Sequence, residues 1–340
     1  MNTTTHTPHT TPSRAQLAAM ILGVSALLAL VVTAFAWPAS EVAPRNLPVA
    51  AVGPAEAVTG FENGAAAVGE DALDVVPMDS RAAAVDAIEQ RDVSAAFVFT
   101  PDGAELLTAS AGSPAVAQMM EQIAVQLAAA HPEQPPVTTT DVVPLPDEDP
   151  RGLVFNAGSL PIVLGGILVG VVVALRVRGG LDSILATLGI AVGGGLAITG
   201  VLQGWLGALD GSYWVNAGVV SLGIAAIALT LVGLRRAIGM AGLPIGAMTI
   251  LLLGNPLSGV TSAPELLPSG WSTLGQLLPP GATGTALRST AFFDGAGAGP
   301  SLLVLTCWVL AGAALAMAPR IRRTTEEVTE AESETAPVPA

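Results

Sequence analysis

Six apolar runs, each long enough to approach or cross a bilayer, constrain this chain more than any other feature. They are Leu17 to Trp37, Phe155 to Leu175, Ile184 to Trp205, Val215 to Leu234, Ile238 to Leu257 and Leu302 to Ala318. A helix rises about 1.5 Å per residue and a hydrocarbon core is about 30 Å thick. Inside that core each backbone N–H and C=O must be paired within its own segment, so the runs are predicted to be helices. The stretch between the first and second runs, 41–151, is too long for a structureless loop and is predicted to be a domain outside the lipid.

Arginines set the orientation, since all thirteen basic residues are Arg. Arg14 precedes the first run, Arg176 and Arg178 follow the second, Arg235 and Arg236 follow the fourth, and Arg320, Arg322 and Arg323 follow the sixth. These ends fall on one side, which the positive-inside rule makes cytoplasmic. Trp37, Trp205, Tyr213 and Trp214 gather at the opposite interface, as an aromatic belt does. The expected fold is a polytopic α-helical membrane protein with six transmembrane helices, both termini cytoplasmic, and a small extracellular α/β domain inserted between helices 1 and 2. The first run reads as a retained anchor rather than a cleaved signal peptide, because it exceeds a usual signal core and ends in Trp37-Pro38.

The expected division is a disordered cytoplasmic lead at 1–14, helix 1 at 15–40, the extracellular domain at 41–151, helices 2 to 5 at 152–257, an extracellular re-entrant or interfacial segment at 258–300, helix 6 at 301–319 and a disordered acidic tail at 320–340. Within the extracellular domain, strands are predicted at Leu47 to Val52, Leu73 to Pro77 and Ser94 to Thr100, with a fourth running through Leu107 after the turn Pro101-Asp102-Gly103. Ser80 is placed to cap a helix over Arg81 to Arg91, and Ser113-Pro114 to open one over Ala115 to Ala129. Pro132 to Pro150, rich in proline and acids, reads as a tether back to the membrane.

Composition then excludes several classes of function. Hydrophobic residues make up 51% and charged residues 12%, with a mean hydropathy of +0.63, so the lipid bilayer is the first partner. The net charge of -14 comes from acids in the outer domain and the tail Glu326 to Glu334; without a basic stripe no nucleic-acid partner is expected. No Asp, Glu, Lys or His lies in the interior of a run, which disfavours a proton-driven carrier. Asp182 sits at an edge, Asp210 in an outer loop, and Gln203 reads as a solvated interfacial side chain. His6 and His9 fall in the flexible lead and Cys307, the lone cysteine, inside the sixth run, so no metal site or disulfide is expected within the chain. Nucleophile-elbow, zinc-protease and Walker A motifs are missing, and Glu70, Asp71 and Asp74 read as a solvated acidic face. The expectation is a non-enzyme with no cofactor of its own.

Two patterns stand out against this apolar background. The pairs Gly166 and Gly170, Gly189 and Gly193, Gly200 and Gly204, and Gly242 and Gly246 are each four apart and are candidate helix-packing positions, since that spacing lets another backbone approach one face. The second is the segment Asn255 to Pro300, with only Glu265, Arg288 and Asp294 charged. Its prolines forbid one long helix, while Leu266, Trp271, Leu274 and Leu277 give apolar faces to short pieces. Broken backbone survives at membrane depth only where protein buries it or it lines a cavity. The segment is therefore read as a lid over the outer mouth, with Asn255, Pro256, Glu265, Pro268, Trp271, Leu274, Pro279, Pro280 and Arg288 as its candidate residues.

"NLPVAAVG" at Asn46 to Gly53 after one span, "VSAAFVFTP" at Val93 to Pro101, Asn255-Pro-Leu-Ser-Gly259, Leu267 to Gly281 and Arg288 to Gly295 together carry a resemblance. The chain resembles the membrane subunits of type-2 ABC exporters, most of all the phage infection protein family and related actinobacterial permease-like proteins. The resemblance implies a bacterial plasma-membrane permease for an apolar or amphipathic envelope substrate, a homodimer or a heterodimer with a related permease, and ATP used only by a partner ATPase subunit. It also implies a cytoplasmic coupling link between helices 2 and 3. The family carries a helix with an E-x-G-T-L-E-like signature there, whereas this chain has only "RVRGGLDS", with Arg176, Arg178, Gly179 and Gly180 as its candidates. The alternative is a non-transporting envelope binding or scaffold protein that acts through its extracellular domain.

Overall fold

The computed structural model describes residues 13–69, 71–130 and 135–318. Outside them lie His6 and His9 of the expected lead, Glu70, the first part of the expected tether, and the tail with Arg320, Arg322 and Arg323.

Between the first two apolar runs the chain builds a sheet from β1 (Leu47–Val52), β2 (Leu73–Met78), β3 (Ala95–Thr100), β4 (Gly103–Thr108) and β5 (Thr138–Asp141), in the order β2-β1-β3-β4-β5. β1 runs parallel to both β2 and β3, β3 and β4 form an antiparallel hairpin, and β5 joins parallel to β4. β1 and β3 read as continuous apolar runs because helices cover both their faces. Val49, Ala51 and Phe97 pack under α2 (Ala55–Val68) and α4 (Pro114–Ala130), while Ala50, Ala96 and Val98 pack against α3 (Arg81–Glu89). Ser80 Oγ accepts from the Ala83 N–H at 3.1 Å and Ser113 Oγ from the Val116 N–H at 3.2 Å, each satisfying a donor in a first helical turn.

The expected tether is part of the domain. Thr138, Thr139 and Thr140 are β-branched, and they extend the sheet at its open edge. Leu145 is buried beside α3's face of the sheet, and the buried Asp149 accepts from the Phe155 N–H at 2.9 Å, capping the next helix. Proline and acid content hid these anchoring side chains.

The membrane part comprises α1 (Arg14–Ser40), α5 (Leu153–Arg176), α6 (Gly180–Thr199, prolonged by a π-helical turn to Trp205), α7 (Tyr213–Ile238), α8 (Gly242–Met248, prolonged by a π-helical turn to Gly254), α9 (Trp271–Gln276), α10 (Pro279–Phe292) and α11 (Gly299–Met317). Five described helical stretches are long and apolar enough to cross a membrane: Arg14–Pro38, Leu153–Arg176, Gly180–Trp205, Tyr213–Gly254 and Gly299–Met317. They mark a polytopic helical membrane protein that carries a sheet domain.

The fourth stretch contains the fourth apolar run and all but the last three residues of the fifth, and the chain reverses inside it. Gly239 takes φ 80°, a left-handed conformation that favours glycine, and α8 then lies back along α7. Gly242 and Gly246 meet Leu234, and Leu243 and Ile250 share a core with Val163, Ile227 and Leu231. The returning piece has seven α-helical and six π-helical residues, about 20 Å of rise. α7 is the hub of the bundle. Gly223 through Gly233 are all buried beneath α5, α6, α8, α10 and α11.

Candidate functional site

The lid segment folds as short helices that belong to two bodies at once. Pro279 and Pro280 open α10, where a missing N–H costs nothing, and both are buried. Thr283 sits on Gly223 of α7, and Gly254 meets Pro280, so α10 packs into the bundle beside α7 and α8. Trp271 opens α9 and stacks edge-on against Trp37 of α1, with ring centroids 5.3 Å apart. Leu274 stays exposed on the same short helix, and Pro268 lies just before it. Asn255 lines a cavity of about 20 Å³ with Phe155, Ser159 and Thr283, large enough for a single water; Pro256 follows the π-helical turn.

The other side of the lid enters the sheet domain. Ala263 and Leu266 complete the core under α4, and Phe293 completes the core under α3. Glu265 and Leu266 accept from the backbone N–H groups of Arg45 and Ala43 at 3.1 and 3.2 Å, the Arg45 guanidinium donates to the Leu266 carbonyl at 3.0 Å, and Ser113 donates its hydroxyl to the Ser262 carbonyl. The lid is therefore the joint between domain and bundle.

Two further arginines hold that joint. Arg91, just beyond α3, donates to Ser289 Oγ at 2.7 Å and lies over the Phe293 ring at 5.1 Å. Burial lowers its pKa from the ordinary arginine value, and the nearby Glu265 partly offsets this. Arg288, 4% exposed, donates to the Val260 carbonyl at 2.9 Å and lies over the Phe155 ring at 4.9 Å. Asn46, Arg91 and Asp294, the non-glycine residues with positive φ among those described, all flank this joint. Left-handed backbone at non-glycine residues costs of order 1 kcal/mol and persists where surrounding contacts impose it.

A polar clasp closes the neighbouring corner. The fully buried Asn216 donates to Gln203 Oε1 at 3.0 Å and to the Asp210 carbonyl at 2.7 Å, while Thr290 donates to Asn216 Oδ1 at 2.8 Å. Gln203, expected to be solvated, also donates to the Gly211 carbonyl at 2.9 Å. It ties the end of α6 to the start of α7. Partial burial and Glu148 raise the pKa of the Asp210 carboxyl in the same loop.

A groove in the sheet domain was not legible in the sequence. It has a volume of about 670 Å³ and runs between α2 and α4 at the carboxyl end of β3. Its floor is Phe61 and Phe99, its walls are Gly60, Gly64, Ile123 and Leu127, and no ionisable side chain lines it among the described residues. β1 leads through α2 to β2 on one side, whereas β3 turns back into β4 on the other. Size and lining suit an apolar chain. The missing signal was α2 itself, whose small residues carry no apolar stripe of large side chains.

At the opposite end, Arg176 closes α5, Arg178 and Gly179 lie in the link of Val177 to Gly179, and Gly180 begins α6 against Ala316 and Met317 of α11. The link contains no helix of its own. Among the glycine pairs, Gly166 and Gly170 meet Ile227, Ala228 and Leu231 of α7, and Gly242 and Gly246 meet Leu234. Gly200 approaches only the Tyr213 hydroxyl, and open space lies over Gly189, Gly193 and Gly204. Close backbone approaches also come at Gly195 against Ala217 and Ser221 and at Gly312 against Leu229, both outside the four-residue pairs. Comparison with protein-family models, with curated proteins and with solved structures found no match to this chain.

Proposed function

We propose that this chain is the permease-like membrane subunit of an ABC-type export system in a bacterial plasma membrane, with six membrane passes counting the short α8 as one. It moves an apolar or amphipathic envelope substrate and draws its power from a separate ATPase. The observation that carries this reading is the uncharged groove of the sheet domain, set on a bundle to which the lid joins it. A groove without charges favours ligands that lose little on leaving water, and the joint gives substrate binding a route to helix movement. The test is purification from the native membrane with a search for a co-purifying ATPase, together with export in a deletion strain. The expected result is a nucleotide-hydrolysing partner and a loss of export; no partner and unchanged export reject the proposal.

One observation favours a second reading. The three-residue link Val177 to Gly179 offers an ATPase little surface to push. In this alternative the chain is a membrane-anchored envelope binding or scaffold protein. The sheet domain on an unrelated single helix would then retain the full phenotype, and a requirement for Trp271 in the lid would exclude it.

A further inference from the structure

The end of the bundle remote from the sheet domain holds a second cavity, of about 550 Å³, between the ends of α5 and α7 and the start of α6. Arg178, Arg235 and Arg236 line it, together with Ser183, Leu175 and Val232. The Nε atoms of Arg235 and Arg236 are buried and have no hydrogen-bond partner among the described residues, where the ion pair found is the distant Arg81–Glu105. Asp182, the nearest acid in sequence, turns its carboxylate toward Gly179, and Ser183 donates to the Gly179 carbonyl at 2.6 Å.

Three guanidinium groups around one cavity repel one another, and each buried unpaired donor keeps its desolvation cost without a compensating hydrogen bond. A single anion relieves both penalties. Positive residues at helix ends orient a membrane protein without any cavity; here they converge on a space large enough for a head group. Guanidinium forks match phosphate oxygens in two-point contacts. Apolar side chains line the same cavity: Val177, Val232 and Leu175, the last 54% exposed on α5, where a membrane helix meets acyl chains. Cationic lining, apolar lining and a position at the ends of membrane helices describe an amphiphile. Basic pockets between helices at this depth recognise lipid head groups.

We propose that this cavity binds the phosphate of an anionic membrane phospholipid through Arg178, Arg235 and Arg236, with an acyl chain along Leu175. The full chain in nanodiscs of phosphatidylcholine and phosphatidylglycerol, read by native mass spectrometry, tests it. The intact chain retains phosphatidylglycerol over phosphatidylcholine by about tenfold or more, the effect of one charge-assisted hydrogen bond. Arg235→Gln with Arg236→Gln loses that preference, while the paired Lys variants, which keep the charge without the fork, hold part of it. A photoreactive head-group analogue maps the contact on the unaltered chain and labels 174–183 and 232–236. Equal retention of the two lipids, or labelling elsewhere, overturns the proposal. A preference that emerges only when the chain is cut after Ala318 assigns the cavity to the tail glutamates instead and overturns it as well. Inorganic phosphate that protects these arginines from a dicarbonyl reagent, with no preference among lipids, assigns the site to free phosphate with the same result.

Discussion

Arg91 shows how one side chain joins a soluble domain to a membrane bundle. Its backbone is left-handed, its guanidinium is bound to Ser289, and its charge lies over Phe293. Arg91→Ala removes a charge-assisted bond and leaves the buried Ser289 hydroxyl without that donor, so a loss of about 2 kcal/mol is expected. Thermal unfolding of the purified chain measures the loss, and hydrogen exchange should quicken at 262–266 and 289–295, on both sides of the joint. Glu105 gives a second test, through pH. Hydrogen bonds from Arg81 and Thr140 hold its pKa below the ordinary carboxylate value. A depressed carboxylate pKa contributes stability that is full above the unfolded value and is lost as pH falls through the folded one. Glu105→Gln should therefore flatten the acid limb of the melting temperature against pH, within the carboxylate range and not above it. Neither role was legible in the sequence, where Arg91 is only the last residue of the expected helix and Glu105 one acid among those of the outer domain.

Among the elements, glycines separate by what lies over them. A Cβ on Gly166 would sit 2.8 Å from Ile227 Cβ, and one on Gly170 would sit 3.0 Å from Ala228 Cα, whereas Gly189 and Gly193 have nothing within 4 Å. Gly170→Leu should force α5 off α7 at a cost of about 1–3 kcal/mol, and Gly189→Leu should leave the melting temperature within error in detergent. If Gly189→Leu instead disrupts a dimer seen by light scattering, that open face belongs to a second copy. The sequence supplied the spacing but not the partner, since glycine pairs look alike whether a helix or lipid faces them. Strands were legible because β1 and β3 are short apolar runs between turn residues, and the helices beginning at Arg81 and Pro114 because serine caps mark their starts. The reversal at Gly239 falls between the fourth and fifth runs, where the arginine pair marked a helix end, whereas the shortness of the returning α8 was hidden because apolar content alone does not show where the regular helix stops. Asn216 was hidden because its three partners, Gln203, Asp210 and Thr290, come from separate segments.

For the molecule as a whole, the groove and the joint are separate devices on one domain, and a single substitution can distinguish them. Gly60 and Gly64 lie on the groove wall with open space above, and neither belongs to the cores that Ala263, Leu266 and Phe293 complete at the joint. Gly60→Phe fills part of the groove, and it also replaces a mid-helix glycine that costs about 1 kcal/mol relative to alanine. Stability should hold or rise while binding of a fluorescent long-chain acyl probe to the full chain falls at least about tenfold, the scale on which losing a well-buried chain segment acts. Trp271→Asp has the reverse signature. It strikes the lid where it meets Trp37, leaves the groove open, and should abolish export while probe binding and membrane insertion persist. If both variants lose probe binding together, groove and lid form one site and the separation of binding from coupling is wrong. If neither alters export, the groove serves something other than the transported molecule, and the scaffold reading gains the domain.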